Sequence, residues 1–104
     1  MKDDLFKEFA FDQLRGLGEV ECRAMFGGYG FYKGDCFFGI IFNGRLYFRT
    51  NEASRADYIG RGMKPFRPKP NQELGNYYEV PPDVIEDSAQ LEAWAREAAC
   101  RATK

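Results

Sequence analysis

The chain has 104 residues, 44% of them hydrophobic and 30% charged, with a formal net charge of −1, the size and balance of one ordinary globular domain rather than a disordered or fibrous chain. It contains no histidine, which excludes Ser-His-Asp and Cys-His catalysis, and Cys22, Cys36 and Cys100 are too scattered for a disulfide frame or a zinc site. No stretch approaches the roughly 20 apolar residues of a membrane span and Met1-Lys2-Asp3-Asp4 lacks the apolar core of a signal peptide, so a cytoplasmic protein with neither cofactor nor metal is expected.

Leu5, Phe6, Phe9, Ala10, Leu14 and Leu17 recur at helical spacing, with Asp3 and Asp4 at the end where a helix dipole favours anions. They predict a first amphipathic helix, stopped by Gly16 and Gly18. From residue 21 the period changes to two, and strands are expected over 21–26, 29–32, 36–42 and 45–50. Lys33-Gly34-Asp35 turns between the second and third, and Asn43-Gly44 is a hairpin signal, because both residues tolerate positive φ.

With a two-residue loop at Asn43-Gly44, Ile41 pairs with Leu46, Ile40 with Tyr47 and Phe42 with Arg45, and paired residues share a face. Strict alternation then puts Phe37, Ile41, Leu46 and Phe48 on a core face under helices. The opposite face carries Arg45, Tyr47 and Arg49 beside Phe38, Ile40 and Phe42, and is either an interface or partly covered by loops.

Residues 51–62 read as a short helix ended by Gly60 or Gly62. The run Met63-Lys-Pro-Phe-Arg-Pro-Lys-Pro70 alternates proline with cations, which removes ladder donors and points to an exposed edge or an extended loop. Tyr77-Tyr-Glu-Val80 is a last strand, stopped by Pro81-Pro82. Asp87 with Gln90 forms a capping box for a final helix whose Leu91, Trp94, Ala95, Ala98 and Ala102 make one stripe. The fold class expected is α+β over a single domain, residues 1–104: a mainly antiparallel sheet of about five strands with an N-terminal and a C-terminal helix packed on it.

Ala24-Met-Phe-Gly-Gly-Tyr-Gly-Phe-Tyr-Lys-Gly34 imitates several ligand loops. Lys33 stands where a dinucleotide fingerprint needs its third glycine, and no Ser or Thr follows to complete a P-loop. Gly28-Tyr29-Gly30-Phe31 matches the core of an RNA-stacking motif, but Gly27 and Gly34 replace its flanking cation and aromatic residue. The stretch is therefore read as sheet, with Gly27 and Gly28 bending the chain and Met25, Phe26 and Phe31 in the core.

Arg23-Ala-Met-Phe-Gly-Gly-Tyr-Gly30, Phe38-Gly39, Leu46-Tyr-Phe48, Pro65-Phe66, Tyr78-Glu-Val-Pro81 and Leu91-x-x-Trp94, in this order, resemble the N-terminal domain of the TfoX/Sxy family over nearly the whole chain. The resemblance implies an α+β domain from bacterial regulators of natural competence, which are not enzymes. They act as transcriptional co-activators with the cyclic AMP receptor protein, and longer members add a helix-hairpin-helix-like C-terminal domain, absent from a stand-alone N-terminal domain as expected here.

Three functional expectations follow. The first is a non-enzymatic regulatory domain binding a protein partner, such as transcription machinery, through Arg45, Tyr47 and Arg49, since Tyr and Arg concentrate interface energy. The second uses the uneven charge: residues 45–69 hold seven cations against Glu52 and Asp57, so Arg61, Lys64, Arg67 and Lys69, with Phe66 between them, could contact nucleic acid weakly. The overall charge of −1 argues against dedicated nucleic-acid binding. The third is self-association, as a homodimer, through the aromatic surplus on two sheet faces.

Overall fold

A computed structural model describes residues 2–25, 27–69 and 71–102, and among these the side chains of all but 2, 3, 25, 68, 69 and 100–102. In chain order the elements are α1 (Lys2–Gln13), a 3₁₀ turn (Arg15–Leu17), β1 (Glu21–Met25), β2 (Gly28–Lys33), β3 (Cys36–Phe42), β4 (Arg45–Arg49), α2 (Glu52–Gly60), β5 (Pro65–Lys69), β6 (Gln72–Glu79), α3 (Pro82–Ile85) and α4 (Ser88–Ala102). The strands form one antiparallel sheet of order β1-β2-β3-β4-β6-β5. The expected α+β class is observed, with six strands. The proline-rich run supplies the additional one, β5, as an edge strand whose prolines need donate nothing outward.

Turn chemistry fixes the first four strands. Met25 pairs with Gly28, leaving a tight loop in which Gly27 takes φ +77°. A Cβ on Gly28 would lie 2.1 Å from the Ile41 carbonyl oxygen, so β2 and β3 approach there only because that residue is glycine. Asn43 and Gly44 both adopt positive φ, 57° and 77°, and the predicted β3–β4 register holds from Phe42–Arg45 to Gly39–Phe48.

Alternation along β3 breaks once. Phe31 pairs with Gly39 and Tyr32 with Phe37, so Phe38 is the extra residue of a β-bulge. The bulge exchanges the two phenylalanines relative to the expected faces. Phe38 enters the main core with Phe31, Ile41, Leu46 and Phe48, while Phe37 joins the opposite side.

The main core lies between the sheet and the helices. Ala10 of α1, Leu14 at the start of the 3₁₀ turn, Val84 of α3, and Leu91, Ala95, Ala98 and Ala99 of α4 are buried against it. Cys36 is also buried there, and its Sγ donates to the Ala99 carbonyl at 3.1 Å. The first-helix expectation needs correction: Leu5 and Phe9 are 78% and 45% exposed, because Phe6, Ala10 and Leu14 already occupy the inward side. Predicted core positions Met25 and Phe26 fall outside the described side chains.

The second face is closed by the sheet's own β5–β6 hairpin. Pro65 pairs with Tyr78 but Phe66 with Leu74, so β6 is irregular and bends between Tyr78, which ladders with both β4 and β5, and Leu74. The bend carries Phe66 over Tyr47 and Phe42, with ring centroids 4.7 and 5.5 Å apart. Ile40, Tyr47 and Phe66 form a second buried cluster, bordered by Phe37, Phe42, Leu74 and Tyr77.

Candidate functional site

The two predicted sets of side chains are redistributed by this fold. Tyr47 is 8% exposed beneath Phe66, and burial, ahead of the nearby Glu79 carboxylate, pushes its phenol pKa up. It is a core residue. Arg45 stays exposed at the end of β4, its Nη1 donating to both Glu79 carboxylate oxygens at 3.1 Å. Arg49 is half-buried at the other end of the strand and makes no ion pair or side-chain hydrogen bond with any described residue. The trio shares a face but not a surface.

The basic set is also dispersed. Phe66 is fully buried and cannot stack on a base, because its ring is committed to Tyr47 and Phe42. Arg61 donates to Asp83 and Arg67 to Glu73, at 3.1 and 2.6 Å. Lys64 is exposed, and the Lys69 side chain lies outside the described residues.

What the fold assembles instead is an open groove of about 290 Å³ between α2 and α4. Arg49, Asp57, Tyr58, Trp94 and Glu97 line it, with Ala53, Ser54 and Ala93 as small wall residues. Each helix is held in place by its own ends. Asn51 caps α2 with Oδ1 accepting from Ser54 N at 2.8 Å, while Ser54 Oγ accepts from Asn51 N at 3.0 Å. At the other end Gly62, φ +79°, donates to Ile59 O and Met63 N donates to Tyr58 O, the six-to-one and five-to-two closure that glycine permits.

The start of α2 is tied to the sheet through Thr50, whose Oγ1 donates to Asn76 O at 2.9 Å and accepts from Arg55 Nε at 3.1 Å. Helix α4 starts at the predicted Asp87 cap. Ala89 N and Gln90 N donate to Asp87 Oδ1, and Gln90 Nε2 donates to Oδ2 at 3.1 Å, so the glutamine closes the box on the carboxylate and not on the backbone.

Within the groove the Tyr58 and Trp94 rings meet edge to face at 4.8 Å. The Arg61 guanidinium lies 5.2 Å from the Trp94 ring centroid, a cation–π distance. Burial, then the Asp57 and Glu97 carboxylates, push the Tyr58 hydroxyl far above its ordinary pKa. The phenol is therefore neutral across the physiological range and can both donate and accept. Trp94 belongs to the apolar stripe of α4 and packs at the margin of the core. Glu97, three residues on, shares its helical face; the meeting of Trp94 with Asp57 and Tyr58 has no signal in the sequence, because the facing of α2 and α4 is a long-range event.

The architecture defines an α+β domain: an antiparallel sheet with helices on one side and its own hairpin on the other. Among the described residues no helix is long and apolar enough to cross a membrane. The family model of the TfoX N-terminal domain matches residues 12–102, and the chain belongs to that family, whose name points to a competence-related regulatory domain. The comparison with curated proteins found no significant match.

Proposed function

We propose that this chain is a non-enzymatic regulatory domain that works by binding a protein partner, in the manner of the competence co-activators of its family. The observation that carries the reading is the convergence of Arg49, Tyr58 and Trp94 on one open groove. These three residue types dominate the energetics of protein interfaces, and truncating such an anchor commonly costs about 2 kcal/mol or more. Of the predicted trio, Arg49 carries the partner contact, and Arg45 borders a separate depression beside Phe6, Phe9 and Ile85.

Affinity capture from the source cell's lysate, followed by mass spectrometry, tests the reading. Recovery of transcription proteins, the cyclic AMP receptor protein among them, supports the family role. Capture that is unaffected by Trp94→Ala and Arg49→Ala, in variants that keep the wild-type circular dichroism, removes the groove from it.

One observation favours self-association as a second reading. Leu5 and Phe9, four residues apart and so on one side of α1, are 78% and 45% exposed, a pair of neighbouring large apolar side chains rather than isolated surface residues. Light scattering across concentration separates a monomer from a dimer held by α1.

A further inference from the structure

Resting on the self-association reading above, we propose that a second copy of this chain adds its own β1 to β1 of the first, antiparallel and about a two-fold axis at Cys22, so that the two sheets become one. The contact lies on the free edge of the sheet and not on the Leu5 and Phe9 side of α1.

The first support is an open ladder. The strand order leaves two edges, β1 and β5. Strand β5 carries Pro65 and Pro68, residues that cannot donate and that blunt an exposed edge, whereas β1 has no proline. Met25 with Gly28 and Phe42 with Arg45 each close a two-residue loop, and residues in that position face each other with their backbone N–H and C=O groups. Counting along the ladders from either loop gives one answer: Glu21, Arg23 and Met25 turn these groups toward β2, and Cys22 and Ala24 turn theirs outward. Among the described residues nothing bonds to those outward groups, and a row of unpaired donors and acceptors is a template for another strand.

The second is charge, which selects the register. Outward groups pair only with outward groups, so the two registers of greatest overlap set Cys22 opposite Ala24 or Cys22 opposite Cys22. The former puts Arg23 directly opposite Arg23. The latter puts Glu21 of each copy opposite Arg23 of the other, and Val20 opposite Ala24. Glu21 and Arg23 are both exposed, with Arg23 donating to its own Glu21 at 3.1 Å and its guanidinium 4.5 Å from the Tyr32 ring centroid. Pairing at Cys22 therefore closes a ring of four alternating charges, and across a strand pair opposite charges stabilise where like charges destabilise.

The third is the helix side of the same hairpin. Cys22 is half-buried and pairs with Phe31 of β2, and the ring of Phe11, a residue 41% exposed, lies 6.2 Å from the Phe31 ring. A two-fold axis at Cys22 continues this apolar layer into the second copy, with Phe11 of each copy over the joined hairpins. One operation thus matches backbone, charge and apolar surface, as a self-complementary interface requires.

The test is mass against concentration, by sedimentation and light scattering into the millimolar range. Wild type should rise reversibly toward twice the chain mass. Ala24→Pro removes an outward donor but none of the β2 ladder, and should leave a monomer with the wild-type circular dichroism. Arg23→Glu should weaken the dimer about tenfold by setting like charges opposite at two symmetric positions, and the exchange Glu21→Arg with Arg23→Glu should restore it. The paired Cys22 residues would stand about 5.5 Å apart at Cα, within disulfide reach, so oxidation with diamide should give a cross-linked dimer that Cys22→Ser lacks.

A dimer indifferent to both Ala24→Pro and Arg23→Glu, or one that the charge exchange fails to restore, would overturn the inference. If the dimer instead disappears in Leu5→Glu with Phe9→Glu and persists in Ala24→Pro, the inference falls and self-association through α1 stands. A wild-type chain that stays monomeric at every concentration removes both.

Discussion

Gly27 and Gly28 are adjacent and indispensable for different reasons. Gly27 adopts φ +77° with open space where a Cβ would go, so Gly27→Ala should cost about 1 kcal/mol through the left-handed backbone alone. At Gly28 the missing Cβ makes room for the Ile41 carbonyl oxygen, 2.1 Å from its position. Backbone cannot swing aside as a flexible side chain can, and Gly28→Ala should cost about 3 kcal/mol. Urea midpoints of the two variants check the order. A larger loss at Gly27 would mean that the β2–β3 approach is softer than its geometry implies. Phe66→Ala deletes the fully buried ring that joins the hairpin to Tyr47, with a stability loss of about 3 to 5 kcal/mol expected. A loss below about 1 kcal/mol would show that the second cluster is not a packed core.

At the scale of elements, the caps make α4 sensitive to pH. Hydrogen bonds from the Gln90 side chain and the Gln90 backbone hold the Asp87 carboxyl below its ordinary pKa of 3.8. A carboxyl depressed in the folded state stabilises fully above its unfolded pKa, and that contribution disappears as pH falls through the lower folded value. Asp87→Asn should therefore lower the thermal midpoint near neutral pH, and the gap to wild type should close in strong acid. A gap that persists in acid would rule out the carboxylate as its source. Asp87 and Gln90 were legible in the sequence because a cap needs only residues three apart. The exchange of Phe37 and Phe38 was not: a bulge is a property of two strands pairing, and nothing in Cys36–Phe42 read alone marks Phe38 as the unpaired residue.

For the molecule as a whole, two surfaces are placed to meet another protein. The α1 surface and the α2–α4 groove have different signatures. Contact through Leu5 and Phe9 is apolar, so in a dimer held by α1 Leu5→Glu with Phe9→Glu should abolish the concentration-dependent mass in light scattering and leave added salt with little effect. Contact in the groove is anchored in the proposed reading by Arg49 beside the Tyr58 and Trp94 rings, so it should weaken as salt rises. A dimer that survives the double glutamate substitution would place self-association elsewhere than on α1.

Sequence by itself determined whatever depends on neighbours in the chain: the periods of helix and strand, the Asn43-Gly44 register, the glycine turns, the Asp87 cap and the family pattern, because each is encoded within a few residues. It also showed the absence of histidine, a fact of composition. Tertiary structure decided what depends on distant segments meeting. The bend in β6 brought Phe66 over Tyr47 and so removed both from the surface. The packing of α2 beside α4 set Asp57 and Tyr58 against Trp94 and Glu97, residues some forty positions apart. Burial and facing are properties of the closed sheet, and periodicity states only which residues could share a face, not what will cover it.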